Sequence, residues 1–122
     1  MAGETPIKVL NIVPSLAMDA GVTSFVRNMF LFRDSSRVSY DYLHHDVVNG
    51  ELRHPLNYDD EFKGRGAKVF TVTHAGTDLS AFIREVKGFF QDHGSEYDVV
   101  HCHMPNSCLL YTSDAADEAR SV

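Results

Sequence analysis

A doubly wound α/β domain, a Rossmann-like parallel sheet flanked by helices, is the fold this sequence predicts, and three observations predict it. Apolar runs rich in β-branched residues recur along the chain, helical spacings of apolar residues fall between them, and Gly, Pro, Asp and Asn mark the junctions. Strands that alternate with helices are joined by right-handed crossovers and therefore lie parallel. By analogy with doubly wound domains the four strands are expected in the order 3-2-1-4, with helices on both faces.

Residues 7–13 (IKVLNIV) are apolar enough for a strand buried on both faces, and Pro14, Ser15 and Asp19-Ala20-Gly21 break it into a loop. Val22, Phe25, Val26, Met29 and Phe30 then recur at helical spacing, as one face of a helix ending near Arg33. After a polar turn at residues 34–37, residues 38–44 (VSYDYLH) alternate as a second strand. A loop through Asn49-Gly50 and Pro55 leads to a short helix at residues 58–63, ended by Gly64 and Gly66. Residues 67–72 (AKVFTV) form the third strand. Leu79, Phe82, Ile83, Val86 and Phe90 give the clearest helix, with Asp78 as its N-cap and Gly94 as its stop. Residues 99–103 (VVHCH) form the fourth strand, closed by Pro105.

The chain's 122 residues suffice for one domain and rule out a two-domain enzyme. A formal net charge of −6 has the wrong sign for phosphate neutralisation, so nucleic acid is not an expected partner. No apolar run approaches the roughly 18 to 20 residues that cross a bilayer, and the start lacks signal-peptide order, which reads as cytoplasmic. Two cysteines, Cys102 and Cys108, make neither a disulfide framework nor a paired zinc motif. The Gly-x-Gly-x-x-Gly fingerprint, the P-loop and the Gly-x-Ser-x-Gly elbow are all absent.

Ligands of an open parallel sheet bind beyond the carboxyl ends of its strands. Two segments fall there. One is the loop Pro14 to Gly21 with the helix start at Val22, where a glycine permits close backbone approach and helix N–H groups favour an anion, although a glycine before a helix equally serves as a turn device. The other is His101-Cys102-His103. Its two imidazoles share a face, but no third ligand stands at a defined spacing, so no metal is expected. His103, last in the strand, is expected to face ligand; His101 is expected to be a packed core histidine, and Cys102 a small buried hydrophobe. His44-His45-Asp46 reads as a solvated strand end, and Asp59-Asp60-Glu61 and Arg84-Glu85 as exposed helix faces.

Three segments together resemble the amino-terminal domain of the GT-B retaining glycosyltransferases of the family-four type. They are residues 8–13 followed by Ala20-Gly21-Val22-Thr23-Ser24-Phe25-Val26, residues 62–71, and Tyr97-Asp98-Val99-Val100-His101-Cys102-His103-Met104-Pro105, similar to that family's Asp-[Ile/Val]-[Ile/Val]-His-x-His strand. The resemblance spans residues 7–107 and implies the amino-terminal half of a GT-B fold, truncated. It implies that Ala20, Gly21 and Val22 form the loop near the donor diphosphate and that His103 contacts the donor sugar in catalysis. Ala20 departs from the glycine many members carry, and its methyl group restricts backbone approach. Met104 stands where some relatives carry a polar residue. The implied partners are a nucleotide sugar as co-substrate, with no further cofactor, and a glycan or lipid-linked acceptor, which leaves room for peripheral membrane contact in the full-length enzyme. In that family a carboxyl-terminal domain holds the donor, so this chain alone is expected to be inactive.

Cys108 to Glu118 (CLLYTSDAADE) resembles translated transposon-end adapter DNA from sequencing libraries, so residues 108–122 are read as non-native and residues 1–107 as the authentic domain. The alternative from another class is a nonenzymatic flavodoxin-like or nucleotide-binding module ending near Ser107.

Overall fold

The computed structural model describes residues 5–103, so Met104, Pro105 and the adapter-like residues 108–122 lie outside the described residues. The elements run β1 (Ile7–Val13), α1 (Gly21–Leu31), β2 (Val38–Val48), β3 (Glu51–Leu52), α2 (Asp59–Gly64), β4 (Val69–Thr73), α3 (Leu79–His93) and β5 (Val99–Cys102), with a 3₁₀ turn at Gly94–Glu96 between α3 and β5. β1 is the centre of the sheet. It pairs parallel with β2 from Ile7↔Val38 to Val13↔His44, and parallel with β5 from Val9↔Val99 to Ile12↔Cys102. β4 lies parallel on the other side of β2, from Tyr42↔Val69 to His44↔Thr71, with an irregularity before Val47↔Thr73. The order of the parallel strands is therefore β4-β2-β1-β5, the arrangement expected from the alternation of elements.

Strand alternation sends neighbouring residues to opposite faces, and each face has its own core. Leu10 and Ile12 of β1, Leu43 of β2 and Val72 of β4 meet Phe82, Val86, Phe89 and Phe90 of α3. Val13 and Tyr42 face the other way and meet Val26 and Phe30 of α1 and Phe62 of α2. Within that second core the ring of Phe62 lies 4.6 Å from Phe30 and 4.8 Å from Tyr42. Arg27 of α1 grips Glu61 of α2 through two contacts of 2.7 and 3.0 Å, tying the two helices on this face together.

The expected caps are met in two places. The Asp78 carboxylate accepts from the Ala81 N–H at 3.0 Å at the start of α3. Gly66, at φ 98°, follows α2, and Ala67 N–H reaches back to the Phe62 carbonyl while Gly66 N–H reaches Lys63, the paired bonds of a Schellman ending. Gly94 differs from expectation: it keeps a right-handed helical conformation, and the chain tightens into the 3₁₀ turn instead of stopping.

Three further differences have physical reasons. β2 runs four residues past the expected strand because Asn49 (φ 52°) and Gly50 (φ 80°) make a two-residue hairpin turn, so β3 pairs antiparallel with β2 through Val48↔Glu51 and Val47↔Leu52. The expected inward face of α1 is only half correct. Thr23, Val26 and Phe30 are buried, whereas Val22 is 42% and Phe25 58% exposed, because α1 covers β1 and β2 and leaves the neighbouring surface of β5 open. On that open surface Val99 and His101 are exposed, which overturns the expectation of a core His101. No described helix is long and apolar enough to cross a membrane.

Candidate functional site at the carboxyl ends of the strands

The loop after β1 starts the site. Leu16 and Ala17 are buried, and the loop is pinned to the segment before α2 by Met18 N–H to the Leu56 carbonyl at 3.0 Å and Tyr58 N–H to the Leu16 carbonyl at 2.9 Å. Thr23 anchors the start of α1 by donating its hydroxyl to the Ser15 carbonyl at 3.3 Å. Ala20 is the N-cap, at φ −91° and ψ 135°, a conformation open to any residue, and its side chain offers no acceptor. Gly21 has no positive φ and open space where a Cβ would stand, so the fold itself does not require a glycine there. The first intrahelical bond from this end is Ser24 N–H to the Ala20 carbonyl, which leaves the N–H groups of Gly21, Val22 and Thr23 ahead of the helical ladder.

His103 follows β5 and reaches the same end of the sheet. Its N–H donates to the Ile12 carbonyl at 2.8 Å, and its Nε2 lies 3.0 Å from Oδ1 of the buried Asn11. An amide oxygen only accepts, so Nε2 carries the proton and Nδ1 keeps its lone pair. The ring stands 6.2 Å from Phe25 of α1 and 3.9 Å from His101. Burial first, and the neighbouring His101 second, hold the His103 imidazole down to about 4. His103 is thus a neutral, half-buried acceptor at neutral pH, and it is less exposed than His101.

The carboxyl end of β2 carries more chemistry than its sequence suggested. His44 and Asp46, read as a solvated strand end, are each only 1% exposed. His44 points towards α2, where its Nε2 meets Asp59 Oδ2 at 2.8 Å, and its Nδ1 accepts from the Asp46 N–H at 3.2 Å. Asp59 is itself buried, contrary to the exposed helix face expected for it, and its Oδ1 has no hydrogen-bond partner among the described residues. Glu61 and Glu85 are likewise tied down, Glu61 by Arg27 and Glu85 by the N–H and hydroxyl of Thr73. His45, on the opposite face, stacks 5.1 Å from His74 and 5.2 Å from Phe82 while its Nδ1 accepts from the Ala75 N–H. Burial, then the nearby His74, holds His45 down to about 4.

The hairpin folds His54 back onto Asp46. Arg53 N–H donates to the Asp46 carbonyl at 2.7 Å, and His54 Nδ1 sits 2.8 and 2.9 Å from the two oxygens of the Asp46 carboxylate. His54 then lines a cavity of about 300 Å³ with Met18, Asp19, Pro55 and Leu56. No family model, curated protein or solved structure matches this chain. Among the described residues no three His, Cys, Asp or Glu side chains converge on a point that could hold a metal.

Of the residues singled out in the sequence, Ala20, Gly21, Val22 and His103 are thus brought to one end of the sheet, through the contact of His103 with Phe25. His54, Asp46 and Asp59 were missed. The signal that could have found the first two was Asn49-Gly50, because a two-residue turn there folds residues 51–54 back alongside residues 46–48.

Proposed function

We propose that residues 1–107 are the acceptor-side, amino-terminal domain of a retaining glycosyltransferase of the GT-B type, and that residues 108–122 are not native to it. One observation carries the reading: the loop after β1 and the His-x-His strand end, two of the three segments on which the resemblance rests, sit at the same carboxyl end of a parallel β4-β2-β1-β5 sheet, with His103 against α1. In this reading the N–H groups of Gly21, Val22 and Thr23, ahead of the helical ladder, face the donor diphosphate, and the His103 Nδ1 lone pair accepts from a donor-sugar hydroxyl. Retaining transfer needs the leaving diphosphate stabilised by preorganised cations and N–H groups while the acceptor hydroxyl attacks from the same face. The cations belong to a second domain, so the 122-residue chain alone is catalytically silent. The test is the uninterrupted source locus. Further αβ units after Ser107, followed by a basic pair and two glutamates separated by seven residues, are expected; a stop codon soon after Ser107 would return the chain to a nonenzymatic nucleotide-binding module.

A further inference from the structure

Two histidine and aspartate pairs lie at the end of β2, and they differ in what they leave free. His44 is sealed: its ring is 1% exposed, one nitrogen meets Asp59 and the other accepts from the backbone. His54 is open. Its side chain is 42% exposed, while the Asp46 side chain that holds it is 2% exposed. Asp46 is fixed from several directions, since it also accepts from the His54 N–H at 3.3 Å and lies 3.7 Å from the Arg53 guanidinium. A carboxylate can only accept, so the neutral imidazole carries its proton on Nδ1 and presents a bare Nε2, without a partner among the described residues. This is the arrangement by which a buried carboxylate fixes the tautomer of a histidine that must accept a proton or a hydrogen bond.

We propose that Asp46 and His54 form a ligand site in which His54 Nε2 accepts a hydrogen bond from a hydroxyl of an uncharged ligand seated between Met18, Asp19 and Leu56. The lining sets the ligand class. Among the lining side chains the Asp19 carboxylate and the His54 Nε2 offer acceptors, which favours a ligand that supplies donors and carries no negative charge, while Met18, Pro55 and Leu56 offer an apolar floor. A cavity of about 300 Å³ is at the small end of ligand pockets, room for one ring. A hydroxylated ring with an apolar face, such as a glycoside, meets these conditions. The site stands on this geometry whether or not the chain belongs to a transferase.

The test is nitrogen-detected NMR of the histidine-labelled 122-residue chain at neutral pH, with a panel of methyl glycosides and with inorganic phosphate as the anion. The expected result is a His54 ring protonated on Nδ1, whose Nε2 resonance and the Met18 methyl move with at least one glycoside and not with phosphate. Asp46→Asn offers an amide donor to Nδ1, drives the proton to Nε2, and should weaken that binding about tenfold, the loss of one hydrogen bond. His54→Phe keeps an aromatic ring and removes the acceptor; it should keep the far-ultraviolet spectrum of the parent and lose the same affinity, so the proposal stays testable if Asp46→Asn unfolds. A proton on Nε2 in the parent, no response to any glycoside, or full binding by His54→Phe would each overturn it.

Discussion

Acidification from pH 7 to pH 5 should destabilise the fold through His45. The folded imidazole is held down to about 4 by burial and by His74, against an ordinary value of 6.5 in the unfolded chain. Between those two values the unfolded state takes up a proton that the folded state refuses, so the contribution is whole above about pH 6.5 and is lost as the pH falls towards 4. Linkage gives about 2 kcal/mol at pH 5 for a fully shielded ring. His45 is only partly buried, and screening by solvent reduces this to about 1 kcal/mol. His103 has the same direction and the same folded value, so these two rings together should cost the parent about 2 kcal/mol over this range. Hydrogen bonds hold the Glu61 and Glu96 carboxyls below their ordinary value of 4.5, so their contributions are lost only at lower pH. His45→Asn isolates the effect: its Oδ1 can stand where Nδ1 stands and keep the Ala75 N–H bonded, with nothing left to titrate. Urea unfolding at pH 7, 6 and 5 should show a variant that is less stable at pH 7, having lost its contact with Phe82, yet loses only about half as much on acidification as the parent. Equal acid losses in the two proteins would refute the reasoning.

Phe62→Ala should cost about 3–5 kcal/mol, since the ring is fully buried between Phe30 and Tyr42, and the urea midpoint should collapse accordingly. Gly50→Ala, at φ 80° in open space, pays only for the left-handed backbone and should cost about 1–2 kcal/mol in the same assay. It should also loosen His54, read as faster exchange of its backbone N–H. His101→Ala should change stability by less than about 0.5 kcal/mol, because the ring is exposed on the open side of β5.

The parallel sheet was legible because its signal is local. Each parallel strand is an apolar or alternating run, each long helix an amphipathic spacing, and the handedness of crossovers leaves few ways to join them. What the sequence hid depends on which face a helix finds. The apolar residues of α1 form a stripe broader than the surface it covers, and nothing in the spacing says that Val26 turns inward while Phe25 stays out. Histidines were hidden for a related reason. His44, His45 and Asp46 look like a polar strand end, yet alternation sends His44 under α2 and His45 under α3, where His44 Nε2 meets Asp59 and His45 Nδ1 meets the Ala75 N–H, partners 15 and 30 residues away. His101 was assigned the wrong burial because the expected core on its face is missing over β5, while Asn11, inside an apolar run, supplied the partner that holds His103.

The most direct test of the proposed function is the transfer reaction of the full-length protein made from the recovered locus, followed by proton NMR of the product's anomeric centre with a panel of nucleotide sugars. Transfer with retained configuration is expected from the full-length protein and none from the 122-residue chain. His103→Ala should lower turnover at saturating donor by roughly a hundred- to a thousandfold, the loss of one positioned contact, with the fold intact. Inverted product, activity from the 122-residue chain, or parental turnover from His103→Ala would contradict it.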